Sequence, residues 1–356
     1  MFAPTIRCWL LPLATMLFWF QILPAAGRGG EAHLNYTHEL TVIRGGWDGH
    51  KSYVHSRAGA IPPEAPGNPT STPIVVLTTQ KHPHHGNDIF DGLEEFRTDD
   101  LGATWDGPQV QPTLDRRQMG PELIAAPCDF TPQWHAASGK LLGTGKTFWY
   151  RHNDQYGRSP SDTIYAVYDP KSRAWSEWRR VEFPDEPKFQ NCSAGCTQRY
   201  DLPNGDVLLP VYMKPELGND HHITTVVHCK FDGQTLRYER HGDELKLPQG
   251  RGIGDGLTEP SLTKFGDRFY LTMRTMKGAC VAAGDDGLQF EPSRPWQFDD
   301  GQELGSYNTQ QHWVTHSDGL YLVYTRRGAD NDHIFRHRAP HGTAVLRYGR
   351  TRGGAR

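Results

Sequence analysis

Carboxylate, amide, imidazole and guanidinium side chains recur in this 356-residue chain at fixed distances from turn glycines. Glu259 stands seven residues before Gly266, and Arg274 stands eight after it. Gln198 stands seven before Gly205, His312 seven before Gly319, and Arg327 eight after Gly319. If each glycine turns one hairpin, Gln198, Glu259 and His312 share one position in successive repeats, and Arg274 and Arg327 share another. These groups do proton transfer and anion binding: carboxylates and imidazoles exchange protons near neutral pH, and a guanidinium gives two parallel hydrogen bonds to a carboxylate. The spacing predicts a polar ring drawn from several repeats. Each member has a plainer alternative, Glu259 as a turn cap or surface carboxylate and Arg274 as an exposed strand cation.

The elements that must position this ring are short strands. Apolar runs follow turns at Gly139-Lys140-Leu141-Leu142, Gly205-Asp206-Val207-Leu208-Leu209, Gly266-Asp267-Arg268-Phe269-Tyr270-Leu271 and Gly319-Leu320-Tyr321-Leu322-Val323, with a less regular copy at Pro73-Ile74-Val75-Val76-Leu77. The turn glycines are 66, 61 and 53 residues apart. A period of that size filled with short strands reads as propeller blades of four strands each; hairpins in a sandwich are the alternative. No stretch carries apolar residues at helical spacing. Ten Trp, 14 Tyr and 15 Phe among 36% hydrophobic residues, with 38 Gly and 26 Pro, fit an aromatic-rich, turn-rich β protein and exclude a disordered chain. A net charge of −3 argues against a nucleic-acid partner.

The first 27 residues read as an export signal: Arg7, an uncharged apolar run from Cys8 to Leu23, and small residues at Ala25-Ala26-Gly27. The mature protein is then expected outside the cytoplasm, secreted or periplasmic, without stable membrane insertion; a retained anchor is the alternative, weakened by Pro12 and Gln21. Five Cys follow the signal, an odd number that rules out full internal pairing, although Cys192 and Cys196 could bridge locally. Asn35 and Asn191 head glycosylation sequons. His82, His84 and His85, His221 and His222, and the Cys192/Cys196 pair lack the spacing of a metal site, so no metal or other cofactor is expected.

Thr98-Asp99-Asp100-Leu101-Gly102-Ala103-Thr104-Trp105 reads S/T-x-D-x-G-x-T-W, and Ala283 to Phe290 is a weaker copy. In such a segment an Asp carboxylate accepts bonds from turn N–H groups, the Gly takes angles closed to other residues, and the aromatic returns into the sheet. This pattern resembles the Asp-box of sialidase-like (BNR-repeat) propellers. Glu259-Pro260 and the hairpin running to Arg274 resemble the Glu-Pro, hairpin, Arg element of the sialidase pocket. Together the resemblance covers about residues 40 to 327.

It implies an all-β, six-bladed propeller over residues 28–336 and an exported exo-glycosidase acting on terminal sialic acid or a similar acidic sugar of a glycan or glycoconjugate. In that family a Tyr is the nucleophile, an exception among glycosidases, with a Glu as its base, an Asp as the acid and three Arg side chains on the sugar carboxylate. The resemblance assigns Glu259 as base, Asp88 as acid with Asp91 as a rival, and Arg57, Arg274 and Arg327 as the clamp, with Arg44 a rival for Arg57. Tyr307 leads into the ring position of its blade and is the candidate Tyr by geometry; Tyr348 is the other Tyr near the end. Gln311 and His312 are expected to contact sugar. Five blades are visible, and residues 337–356 read as a basic Gly/Arg-rich tail, leaving the last blade incomplete, as in a truncated or altered copy. A glycosidase of other sugar specificity and a carbohydrate-binding propeller without turnover remain the alternatives.

Overall fold

The structure is a computed structural model that describes residues 42–45, 47–83, 88–152, 154–155, 161–214, 221–247, 256–298, 300–306, 308–316, 319–327, 333 and 345–348. The expected signal, Tyr307 and most of the expected tail lie outside the described residues.

Five antiparallel sheets succeed one another in chain order, and the described residues hold no α-helix. The first sheet is a meander of Lys51–Ile61, Ile74–Pro83, Leu93–Thr98 and Asp106–Val110. The second is built on Leu123–His135, Lys140–Arg151 and Thr163–Asp169. The third has Val207–Met213, Ile223–Phe231 and Leu236–His241, preceded by the short strands Cys192–Ser193 and Tyr200–Asp201. Thr258–Phe265, Arg268–Thr275, Gly278–Gly284 and Arg294–Pro295 make the fourth, and His312–His316, Gly319–Tyr324 and Val345–Tyr348 the fifth. The all-β expectation holds and the arrangement is propeller-like. Four sheets have four strands or more and the fifth has three; no sixth sheet lies among the described residues.

The turn glycines act as the sequence predicts. Gly139, Gly205 and Gly266 all have positive φ, at 64°, 86° and 59°, a region that L side chains seldom enter. Gly139 and Gly266 each close a tight connection between the first two long strands of their sheets, and Gly205 closes the turn from Tyr200–Asp201 into Val207–Met213. Of the strands they launch, Val207–Met213 is apolar on both faces and all seven of its residues are buried. Both faces are covered because each sheet packs against its neighbours. Ile61, Val76 and Leu93 of the first sheet meet Leu141, Ile164 and Trp178 of the second region. Leu142 and Tyr165 meet Leu209 and Val227, Leu208 and Val226 meet Leu262 and Leu271, and Ala279 meets Trp313 and Leu322. Each fully buried Leu or Val contributes about 1.5–3 kcal/mol, so these inter-sheet layers supply most of the stabilisation.

The turn after Leu93–Thr98 is built on Asp100. Its carboxylate accepts from the Thr98 hydroxyl (2.7 Å), the Thr104 N–H (2.9 Å) and the Thr104 hydroxyl (2.6 Å). These bonds, those of Thr104 foremost, hold its acid at about 2. Gly102 has φ 89°. Trp105 is only half-buried, short of the burial expected. The weaker copy is out of register: Asp286, not Asp285, accepts the turn N–H groups of Leu288 and Gln289, while Asp285 pairs with Arg268 on the surface.

A second correction concerns the chain end. Val345–Tyr348, assigned from sequence to the basic tail, pairs with Gly319–Tyr324, Val345 opposite Tyr324 and Tyr348 opposite Tyr321. The apolar run there supplies the third strand of the fifth sheet. Cys192 and Cys196 are both free thiols, so they are not bridged.

Candidate functional site

The first long strand of the first, second and fourth sheets is broken by a bulge, between Val54 and Arg57, Cys128 and Thr131, and Thr258 and Ser261. In each bulge one residue has positive φ: His55 (56°), Asp129 (50°) and Glu259 (47°). The third and fifth sheets have counterparts, Cys196 (55°) and Asn308 (44°), in the backbone just ahead of their long first pairings. Bulges re-aim side chains and gather beside functional sites, and left-handed non-glycine residues cost about 1–3 kcal/mol each. Asn, Asp and His tolerate that conformation best, and three of the five are of these types. Five of the nine described non-glycine residues with positive φ thus gather at one level of the fold, that of the candidate site.

His55, Asp129, Cys196 and Glu259 line a single cavity of about 670 Å³, with Asn308 just behind it. A second tier comes from the next strands. Cys128 pairs with Lys146, Ser193 with Tyr212, and Thr258 with Arg274, and all three second-strand residues line the cavity. The ring is laced by bonds between sheets: Cys196 N–H to Asp129 O (3.1 Å), Gln198 N–H to Pro260 O (3.3 Å) and Leu262 N–H to Gln198 O (2.8 Å).

One pole is Glu259–Arg274–Asn308. Arg274 donates from Nη1 to Glu259 Oε1, and from Nε (2.8 Å) and Nη2 to Asn308 Oδ1. Glu259 is 9% exposed, and its Oε2 has no hydrogen-bond partner. Burial works against the Arg274 charge, but Glu259 outweighs it and raises the guanidinium above its ordinary value. The pair is fixed on one carboxylate oxygen, which leaves the other for a ligand.

The opposing pole is Asp129, 4% exposed. Its Oδ1 lies 2.9 Å from His55 Nδ1 and accepts from the Cys196 thiol (3.0 Å), and its Oδ2 lies 3.2 Å from Lys146 Nζ. Burial would raise this carboxyl; the charges of His55 and Lys146 outweigh it and hold the group well below the usual carboxylate range. Lys146 is held well above its ordinary value against burial, by Tyr212 and Asp129. It also lies over the Phe148 ring at 4.4 Å. Burial, followed by Asp129, pushes the Cys196 thiol well up, so it is a neutral donor here. Burial likewise raises the Tyr212 phenol, with Lys146 opposing.

Of the residues expected from sequence, Glu259, Arg274, Asp88 and His312 line the cavity. Asp88 is exposed at its edge, its backbone carbonyl accepting from the Tyr150 hydroxyl (3.0 Å); its rival Asp91 is paired with Lys51. His312 takes Ser261 Oγ at 3.1 Å on Nδ1, while Nε2 has no partner. Burial, helped by Arg57, lowers the imidazole to about 3, so it is neutral.

The others fall elsewhere. Arg57 is half-buried outside the lining and reaches Cys196 Sγ with Nη2 at 3.4 Å; Arg44 is exposed. Gln311 is fully buried, its amide bound to Ser306 Oγ (2.9 Å), Thr309 O and Thr272 Oγ1 (3.2 Å), so its neighbour Gln310 faces the cavity instead. Gln198 holds both backbone groups of Trp313 with its amide and is a strap, not a lining residue. Arg327 is exposed beyond Gly319–Tyr324. Its eight-residue register fails because the fifth sheet is wider at the bulge. Ser306 pairs with Arg326 and His312 with Val323, six steps against three, where the fourth sheet has three against two. Thr325 lines the cavity on that side. Arg274 is thus the one arginine of the lining among the described residues.

Sequence reasoning missed His55, Asp129, Lys146 and Tyr212. The available signal was the first-strand bulge, one to three residues that glycine spacing does not reveal.

No protein-family profile and no curated protein sequence matches the chain. Solved structures do resemble it in fold. A protein of unknown function from Dyadobacter fermentans aligns with 78% of this chain and 76% of its own, at 14% identity and a TM-score of 0.55. Trypanosoma rangeli sialidase aligns over 76% of this chain at 14% identity and a TM-score of 0.51. The leech intramolecular trans-sialidase aligns over 75% at 12% identity, also at 0.51. The chain spans 43% and 55% of the lengths of these two enzymes. The all-β, propeller-like arrangement of the described sheets is a sialidase-like fold.

Proposed function

We propose that the protein is an exported glycoside hydrolase of sialidase type that removes a terminal acidic sugar from a glycan, with the chain folded as a sialidase-like propeller. The observation that carries this reading is the meeting of Glu259, Arg274 and Tyr212 in one cavity of about 670 Å³, within the range for small-ligand sites. Arg274 meets the sugar carboxylate. The Glu259 oxygen without a partner takes the phenolic proton of Tyr212 as the phenol attacks the anomeric carbon. A neutral phenol, kept so by burial, approaches an anionic centre with less repulsion than a carboxylate. Asp88, the acid that the resemblance assigns, is exposed at the cavity edge. Export rests on the N-terminal signal read from sequence.

A second reading, a glycosidase for another sugar, is favoured by the single arginine of the lining, since a three-arginine carboxylate clamp is not assembled among the described residues. A fluorogenic sialoside beside uronide and neutral glycosides separates the two. Sialoside turnover abolished by Glu259→Gln and Tyr212→Phe supports the first; turnover of a neutral glycoside alone supports the second. Binding of sialic acid without turnover of any substrate reduces the protein to a lectin-like propeller.

A further inference from the structure

His55 occupies the bulge position of the first sheet and lines the cavity. Its Nδ1 faces the buried Asp129 carboxylate at 2.9 Å, and its ring lies 5.0 Å from that of Phe90. The contact is an ion pair rather than an aligned hydrogen bond; an anion beside one ring nitrogen favours a proton there and leaves the other nitrogen for chemistry. Asp129 is itself locked, by Lys146 on its other oxygen and the Cys196 thiol. His55 is therefore held by a rigid anion while being 28% exposed on its side chain, enough to meet a ligand.

We propose that His55, oriented by Asp129, is the acid/base group at the leaving-group side of the cavity, in the role given above to Asp88; this rests on the glycosidase reading. In the first half-reaction the imidazolium gives its Nε2 proton to the glycosidic oxygen. The bond from anomeric carbon to oxygen breaks with its electron pair on that oxygen, which leaves as an alcohol. The Tyr212 oxygen bonds to the carbon, and its proton goes to Glu259. In the second half, neutral His55 takes a proton from water as the water oxygen bonds to the carbon. The pair of the breaking bond returns to the Tyr212 oxygen, which recovers its proton from Glu259. Atoms and charge balance: one glycoside and one water give one sugar and one alcohol. Asp129 does not touch substrate and is a positioning residue. The other charged or titratable groups on this side are Lys146, Asp88, Cys196 and, against Phe90, His82.

The test compares two sialosides, one with a 4-nitrophenyl leaving group that departs without protonation and one with methanol as leaving group. His55→Asn keeps a residue type that accepts the left-handed backbone. It should lower kcat/KM on the methyl sialoside by about 100-fold or more, the usual range for a lost general acid, and much less on the 4-nitrophenyl sialoside. Asp88→Asn should slow both equally. Equal losses on both substrates in His55→Asn, or a selective loss in Asp88→Asn, would overturn the proposal. Absence of turnover in the wild type sinks the glycosidase reading instead. The dyad is then judged by ¹⁵N NMR of histidine-labelled protein with N-acetylneuraminic acid as probe. The proposal expects a proton on His55 Nδ1 in both the charged and the neutral ring, its weakening in Asp129→Asn, and an Nε2 shift on adding the sugar. An Nε2–H tautomer, or a His55 signal indifferent to both changes, overturns it.

Discussion

Replacing Arg274 by Met keeps the length of the side chain and removes its charge. Glu259 then stays in the cavity wall, 9% exposed, with neither oxygen paired, and Asn308 loses two donors from the guanidinium. Removing one partner of a buried pair costs about 3–5 kcal/mol, mostly because the other charge is stranded. In Glu259→Gln/Arg274→Met the stranded charge is gone, so the double variant should be more stable than Arg274→Met alone by about 2 kcal/mol or more. With a denaturant slope of about 3 kcal/mol/M, the single variant lowers the urea midpoint by roughly 1–1.7 M. Urea titrations of wild type, both single variants and the double variant form a thermodynamic cycle. Additivity within about 0.5 kcal/mol, or a single-variant shift under roughly 0.3 M, would refute the view that this pair is buried and mutually dependent.

Three further outcomes are expected. Gly143→Ala puts a methyl 2.0 Å from the Phe130 ring and should cost about 1–3 kcal/mol, read as a midpoint shift with unchanged slope. Asp129→Asn removes a carboxylate whose folded value lies below its unfolded one. That stability is present above about pH 4 and is lost as pH falls through the folded value, so the variant should be less stable at pH 7 and show a shallower acid-side decline. His312 is neutral in the fold down to about 3 but gains a proton near 6.5 when unfolded. Stability is therefore lost as pH falls across that window, and His312→Gln should flatten the stability–pH profile between pH 3 and 6.5 by up to about 1.4 kcal/mol per unit.

The sequence carries the sheets well because their markers are local. A glycine at positive φ followed by an apolar strand is visible at Gly139, Gly205 and Gly266. It carries the Glu259–Arg274 pair for the same reason, since both flank one hairpin. It carries the rest of the ring poorly. Bulges insert residues at points that no residue type announces, so glycine counting put Gln198 in place of Cys196 and Arg327 in place of Thr325. Asp129 and Lys146 escaped notice because Cys128-Asp129-Phe130 and Gly145-Lys146-Thr147 read as ordinary strand. Their chemistry exists only once two sheets bring His55, Cys196 and Tyr212 alongside.

The five left-handed residues of the ring also restrict how this pocket can change. A β-branched side chain is strongly disfavoured at positive φ, so Val, Ile and Thr are poor replacements at His55, Asp129, Cys196, Glu259 and Asn308. Exchanges among Asn, Asp, His and Gly are the least strained there, and those same exchanges alter charge, proton affinity and hydrogen bonding. The inter-sheet layers of Leu and Val need not move when they occur. Random variation at this tier is thus biased toward polar chemistry. A focused library of these five positions would sample new ligand specificities, with the stability cost falling on the ion pairs of Glu259 and Asp129 rather than on the inter-sheet layers.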